Sequence, residues 1–140
     1  MSHFLGLKQA FADVWTAKPL AADATLEQLK ELTGGTQVYR VRNKTGFVSR
    51  WSCSRFAGCN LLVVTSDVIV REDLRGKGIG TFLRQLRQTA YRKAGFKGEM
   101  CTVRSDNNGQ IKIMEKLGAR VINELPSDRG GMVRLYLTAF

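Results

Sequence analysis

Three glycines at alternate positions, Arg75-Gly76-Lys77-Gly78-Ile79-Gly80, stand between an apolar segment and a helical one. Glycine lets the backbone approach a ligand closely and aim several N–H groups at one point. A helix N-terminus adds partial positive charge, and Arg75 and Lys77 add whole charges. Together these features make a cradle for a phosphate or pyrophosphate. Two common phosphate loops do not fit. A Walker A loop needs four residues between its first glycine and Gly-Lys-Ser/Thr, and a dinucleotide fingerprint runs G-x-G-x-x-G. Here the glycines fall as G-x-G-x-G. Metal chemistry is not expected, because Cys53, Cys59, Cys101 and the single histidine, His3, match no zinc spacing. Reduced thiols packed as small hydrophobes, in a cytoplasm-like compartment, are the expectation.

A strand must feed the loop and a helix must leave it. Asn60 to Val70 is a long run containing Leu61, Leu62, Val63, Val64, Val68, Ile69 and Val70 and reads as a central strand buried on both faces. After the loop, Ile79, Phe82, Leu83, Leu86, Ala90 and Tyr91 share one helical face, and Gly95 ends it. Gly98 to Val103 reads as a strand. Asp106-Asn107-Asn108-Gly109 opens another helix, with Ile111, Met114 and Leu117 inside and Gly118 as its stop. Ala119–Leu125 and Met132–Leu137 are two last strands around a polar loop.

Upstream, Phe4, Leu7, Phe11, Val14 and Trp15 predict a helix over 4–17, stopped by Lys18-Pro19. Thr25-Leu26-Glu27-Gln28 reads as a capping box opening a second helix with Leu26, Leu29 and Leu32 on one side, ended by Gly34-Gly35. Gln37–Arg42 and Phe47–Ser54 alternate around a turn at 43–46 and predict an antiparallel hairpin. The order α-α-β-β-β-α-β-α-β-β predicts an α/β (α+β) fold in one domain, 1–140: a mixed sheet of six to seven strands with about four helices.

The chain has 140 residues, 44% of them hydrophobic and 24% charged, as globular domains do. No run is apolar enough to span a membrane, and Met1 to Lys8 lacks the pattern of a secretory signal, so a cytoplasmic location is expected. Lys plus Arg is 22 and Asp plus Glu is 12, a net charge of +10 that favours an anionic partner. Arg40, Arg42, Lys44, Arg50 and Arg55 crowd the hairpin, with Tyr39, Phe47 and Trp51 between them. Basic and aromatic residues together are how nucleic acid is often met, although a solvated outer face over a packed inner one gives the same pattern.

Arg-Gly-x-Gly-x-Gly after a strand resembles the coenzyme A pyrophosphate loop of the GNAT superfamily of acyltransferases. A second stretch, Asn107-Asn-Gly-Gln-Ile-Lys-Ile-Met114-Glu115-Lys116-Leu117-Gly118-Ala119, is similar to that family's Asn-x-x-Ala-Ile-x-Leu-Tyr-Glu-Lys-Leu-Gly-Phe. The resemblance implies an N-acetyltransferase moving an acetyl group from acetyl-CoA to a primary amine, without a metal. It implies that the backbone of Val68, Ile69 and Val70 pairs with the pantetheine arm, that Arg75, Gly76, Lys77, Gly78, Ile79, Gly80 and Thr81 hold the pyrophosphate, and that Asn107 touches the arm from the other side. Asp67 stands near the family's usual acidic position and is the expected general base. Tyr136, Cys101 or water would be the acid, because Met114 replaces a frequent tyrosine near the thiol; Met cannot donate a proton. Ala119 replaces a phenylalanine, and the family's frequent strand before the first helix is not visible. The acceptor, a small-molecule amine, a protein or a nucleic acid, is left open, and a homodimer is allowed. The alternative is a degenerate member that binds coenzyme A, or nucleic acid through Arg40, Arg42, Lys44 and Arg50, without turnover.

Overall fold

The computed structural model describes residues 6–16, 23–32 and 35–140. Its elements are α1 (Leu7–Val14), β1 (Thr25–Leu32), β2 (Thr36–Asn43), β3 (Gly46–Phe56), β4 (Cys59–Val70), α2 (Ile79–Ala94), β5 (Gly98–Arg104), α3 (Asn108–Lys116), β6 (Arg120–Pro126) and β7 (Met132–Ala139). One seven-stranded sheet runs β1-β2-β3-β4-β5-β7-β6. Of its pairings only β4–β5 is parallel, as a crossover through α2 requires.

All three helices pack on one face. Phe11 of α1 lies 4.5 Å from the Tyr39 ring and 5.7 Å from Trp51. Tyr91 of α2 reaches Cys53 and Thr65 on the same side. Cys101 of β5 meets both Arg84 of α2 and Met114 of α3. The amphipathic periods of the helices thus find their partner in the odd-numbered side chains of β3 and β5.

The segment 25–32 is a strand, not the expected second helix, which is why three α-helices stand among the described residues instead of about four. Leu, Glu, Gln and Lys are good helix formers, but tertiary pairing overrides that preference. Leu26 packs on the core, and Glu27 takes Arg40 and Arg42 from β2. A bulge between Gln28 and Lys30 leaves Leu29 more than a third exposed. The inserted residue turns a strand's period of two into a spacing of three, which imitates a helix. The expected stops at Lys18-Pro19 and Gly34 lie outside the described residues, as do Phe4 and His3.

The hairpin forms as expected, with Tyr39 opposite Trp51 and Arg40 opposite Arg50. Alternation then separates the two chemistries. Tyr39 and Trp51 are wholly buried beneath α1, whereas Arg50 is exposed on the helix-free face and Arg40 is held by Glu27 at 2.8 Å. The interleaved pattern is therefore two faces of one sheet; those two aromatic rings offer no stacking platform beside the arginines.

Buried thiols and phenols surround the main core. Burial pushes Cys53 up to about 12 and Cys101 up to about 11, and it also raises Tyr39 and Tyr91. Cys59 is only half-buried, against the expectation for it. In the unfolded chain these groups release protons from about pH 9, while the folded chain keeps them. The native state then binds more protons, so stability is whole below about pH 9 and falls as pH rises toward 11. Urea midpoints measured from pH 7 to 11 should decline over that window. A flat profile would show that these groups are more exposed than described.

Candidate active site

β4 and β5 pair at only three positions, Leu62 with Gly98, Val63 with Glu99 and Val64 with Met100. Beyond them the strands part. A bulge against β3 falls at Asp67–Val68, since Arg50 faces Ile69 while Ser52 faces Ser66. Asp67 has φ 55°, the one described non-glycine residue in the left-handed region. Asp tolerates that region better than most residues, and such strain gathers at functional sites.

This divergence overturns one expectation. β4 is central, yet it is not buried on both faces. Val63 and Thr65 are buried, but Val68 is 36% and Ile69 48% exposed. Val68 lines the open gap, whereas Ile69 is exposed outside its lining. The gap is a cleft of about 380 Å³ lined on the β4 side by Thr65, Ser66, Asp67 and Val68. Cys101 and Val103 line it from β5, and Asn107 and Gln110 from the start of α3. The β6–β7 loop overhangs it with Asp128 and Arg129, and is tied down where Arg104 Nη2 donates to the Gly130 carbonyl at 3.0 Å.

The glycine loop follows the end of β4, and its residues are not among those that line this cleft. One 3-10 turn, Glu72–Leu74, carries the chain from β4 to Arg75. Arg71 fixes that turn through Asp73 at 2.6 Å and the Phe47 carbonyl at 3.1 Å. Its guanidinium beside Asp73 holds that carboxyl below the usual carboxylate range. Arg75 Nε donates back to the Val70 carbonyl at 2.9 Å, so this guanidinium stays beside the loop. Gly78, φ 80°, is the N-cap of α2 and supplies no side-chain cap. The first N–H groups of a helix lack partners within it, and space is open beside the loop, since a Cβ at Gly76 or Gly78 would touch nothing within 4 Å. Ile79 turns its side chain into the core, leaving only its backbone to the loop. Gly80 lets α2 approach α3, its Cβ position lying 3.4 Å from Ile113. Thr81 follows half-buried on the first turn. The donor set and the vacant space fit a pyrophosphate, and the adjoining gap fits a narrow extended arm.

The remaining expected residues divide. Asn107 caps α3, its Oδ1 accepting from Gln110 N at 3.2 Å, and lies on the cleft wall. Asp67 stands opposite on β4, exposed. Tyr136 lies apart from both. It sits one strand farther from the gap, wholly buried beneath α3 with Cys101, Val103, Ile111 and Met114, and is not among the residues lining the cleft. Lys44 and Arg50 are exposed on the hairpin, away from the cleft lining. Among the described residues no group of His, Cys, Asp and Glu could hold a metal ion, and no helix is long and apolar enough to cross a membrane.

Beneath the cleft floor lies a buried network that the sequence reading missed. Glu99 accepts from Thr65 Oγ1 at 2.5 Å and pairs with Arg84 at 2.9 Å. Thr65 in turn meets the Tyr91 hydroxyl at 2.7 Å, and that hydroxyl meets Cys53. Arg87 stacks over Trp51, its guanidinium 5.1 Å from the ring centre. A signal was present: Arg84, Arg87 and Tyr91 recur at helical spacing beside Leu83 and Leu86, which places charge on an apolar face.

A family model described as the acetyltransferase (GNAT) family matches residues 11–119. Solved structures are similar in fold. A GNAT family acetyltransferase from Elizabethkingia anophelis with acetyl-CoA bound has a TM-score of 0.71 at 10% identity, covering 86% of this chain and 100% of that one. The IAA acetyltransferase from Bacillus cereus has a TM-score of 0.67 at 11% identity, covering 84% and 99%. The yncA protein of Salmonella typhimurium, solved with acetyl-CoA, has a TM-score of 0.63 at 21% identity, covering 75% of this chain and 65% of its own, just under two thirds. Comparison with curated proteins finds no match.

Proposed function

The chain belongs to the acetyltransferase (GNAT) family, and from that premise we propose that it transfers an acetyl group from acetyl-CoA to the primary amine of an acceptor. The observation that carries this reading is the parting of β4 from β5, with a glycine loop opening α2 beyond the end of β4. In it, Arg75, Gly76, Lys77, Gly78, Ile79, Gly80 and Thr81 hold the pyrophosphate, by backbone N–H groups and by the charges of Arg75 and Lys77. Val68, Ile69 and Val70, which have no β5 partner, turn that edge of β4 to the pantetheine arm, and Asn107 closes on it from α3. An N–H near Val70 meets the thioester oxygen as charge develops there.

Asp67 is the base in this reading. Its bulge turns it out of the ladder at the gap, where its carboxylate takes the proton of the attacking amine directly or through one water. Asp67→Asn keeps shape and tolerates the left-handed backbone, so folding and acetyl-CoA binding should persist. Turnover at neutral pH should fall about a hundredfold or more. Acetyl-CoA consumption, read as thiol release over a panel of small amines, peptides and amine-bearing nucleic acids, tests both the function and this role. Unchanged turnover in Asp67→Asn would move the base elsewhere.

The wholly buried Met114, which puts no hydroxyl on the cleft side of α3, favours a second reading. In that reading the protein binds coenzyme A without turnover. Binding of acetyl-CoA with no thiol release across the whole panel would select it.

A further inference from the structure

Asn107, the N-cap of α3, and Gln110 on its first turn line the gap between β4 and β5, and Met114, one turn on, is buried behind Gln110. Gln110 Nε2 lies 4.0 Å from Met114 Sδ, and the same sulfur lies 4.0 Å from Cys101 Sγ. A thioether is a weak acceptor. The Gln110 carboxamide, which lines the cleft, thus directs an N–H at a sulfur that gains little from it. Two of the cleft's other donors are engaged within the protein. Arg84 serves Glu99 and Thr138. Thr65 donates to Glu99. Asn107 caps the helix with its oxygen, which leaves its Nδ2 amide as a second donor on the cleft wall. The Cys101 thiol, pushed by burial up to about 11, is a weak donor. Passing its proton to the thiolate of a thiol that burial has not raised in this way would run uphill.

We propose that Gln110 is a catalytic residue for the leaving group, its Nε2–H donating to the coenzyme A sulfur as the carbon–sulfur bond breaks. This rests on the reading of the cleft as the acetyl-CoA site. The step balances without an acid. The amine nitrogen's lone pair forms the new carbon–nitrogen bond, and the amine's proton passes to Asp67 or water. The carbon–sulfur pair returns to sulfur, which leaves as a thiolate held by the amide N–H and the field of Arg84. That thiolate takes its proton from solvent. A carboxamide gives up no proton, so it acts through a charge-assisted hydrogen bond, worth roughly ten- to a hundredfold in rate.

The test needs no acceptor. Coenzyme A itself is bound to the protein and its thiolate absorbance is followed against pH. In the unaltered protein the bound thiol should titrate about one unit below the free thiol, a tenfold preference for thiolate. Gln110→Ala should return it to the free value. Gln110→Glu, equal in shape but anionic, should carry it above that value. Cys101→Ala should leave it lowered. Once an acceptor is in hand, Gln110→Ala should lower kcat about tenfold with KM for acetyl-CoA little changed. If Gln110→Ala titrates as the unaltered protein does, or if Cys101→Ala abolishes the shift instead, the role of Gln110 is overturned and the acetyl-CoA site stands. If the unaltered protein binds no coenzyme A, the reading beneath the proposal falls with it.

Discussion

Gly78→Val should abolish the stabilisation that acetyl-CoA gives the unaltered protein. A ligand that binds only the folded state, present at a hundred times its dissociation constant, stabilises by about 2.7 kcal/mol. For a chain of this size the melting temperature should rise by several degrees on adding millimolar acetyl-CoA. Gly78 has φ 80° and caps α2 with its backbone alone. A branched side chain opposes that conformation and occupies the vacant space where a pyrophosphate would sit. The residue is exposed, so its replacement leaves the core intact. The variant should melt cooperatively, somewhat below the parent, and show no shift with acetyl-CoA. An equal shift in both proteins would mean that the loop does not hold the ligand. A variant that loses cooperative melting would test nothing about binding, and Gly78→Ala, with less bulk in the same backbone, then serves. It should weaken the shift without removing it.

The glycine loop was legible because its chemistry is local: strand end, turn and helix start are contiguous in sequence. Asn107 was legible for the same reason, as an N-cap one position before its helix. What lay beyond reach depended on distant partners. Whether Val68 and Ile69 are covered is decided by where β5 stops pairing, and nothing within their own run states that. The strand at 25–32 hid behind good helix formers and a bulge, and became a strand because Arg40 and Arg42 wait for Glu27 across the ladder. Tyr136 was placed near the chemistry by its position on the last strand, whereas depth beneath α3 is set by helix packing. Arg40 and Tyr39 are neighbours in sequence and belong to opposite faces, which the period of two foretold once the hairpin was recognised.

Glu99→Ala should cost the fold about 3–5 kcal/mol, because it would leave a buried guanidinium without its counter-charge. Arg84 is 2% exposed and its partner carboxylate wholly buried, so solvent cannot replace the lost pair. Arg87 lies buried nearby, and burial already pulls its guanidinium down from its ordinary value. Removing Glu99 would also strip Thr65 of its acceptor and so loosen the floor of the cleft. The loss should appear as a lower urea midpoint with little change in slope. Replacing both partners separates the charge from the packing. Arg84→Met with Glu99→Leu removes the pair and fills the space, and should recover most of the single variant's loss, since apolar substitutes for a buried ion pair are often neutral or better. If Glu99→Ala costs less than about 1 kcal/mol, the pair is hydrated in solution. If the double variant is no more stable than the single one, shape at these positions outweighs charge. If it is recovered, charge is the reason Glu99 stands in the middle of β5. The parting strands above would then rest on a floor in which one carboxylate offsets the Arg84 charge beside a line of hydroxyls.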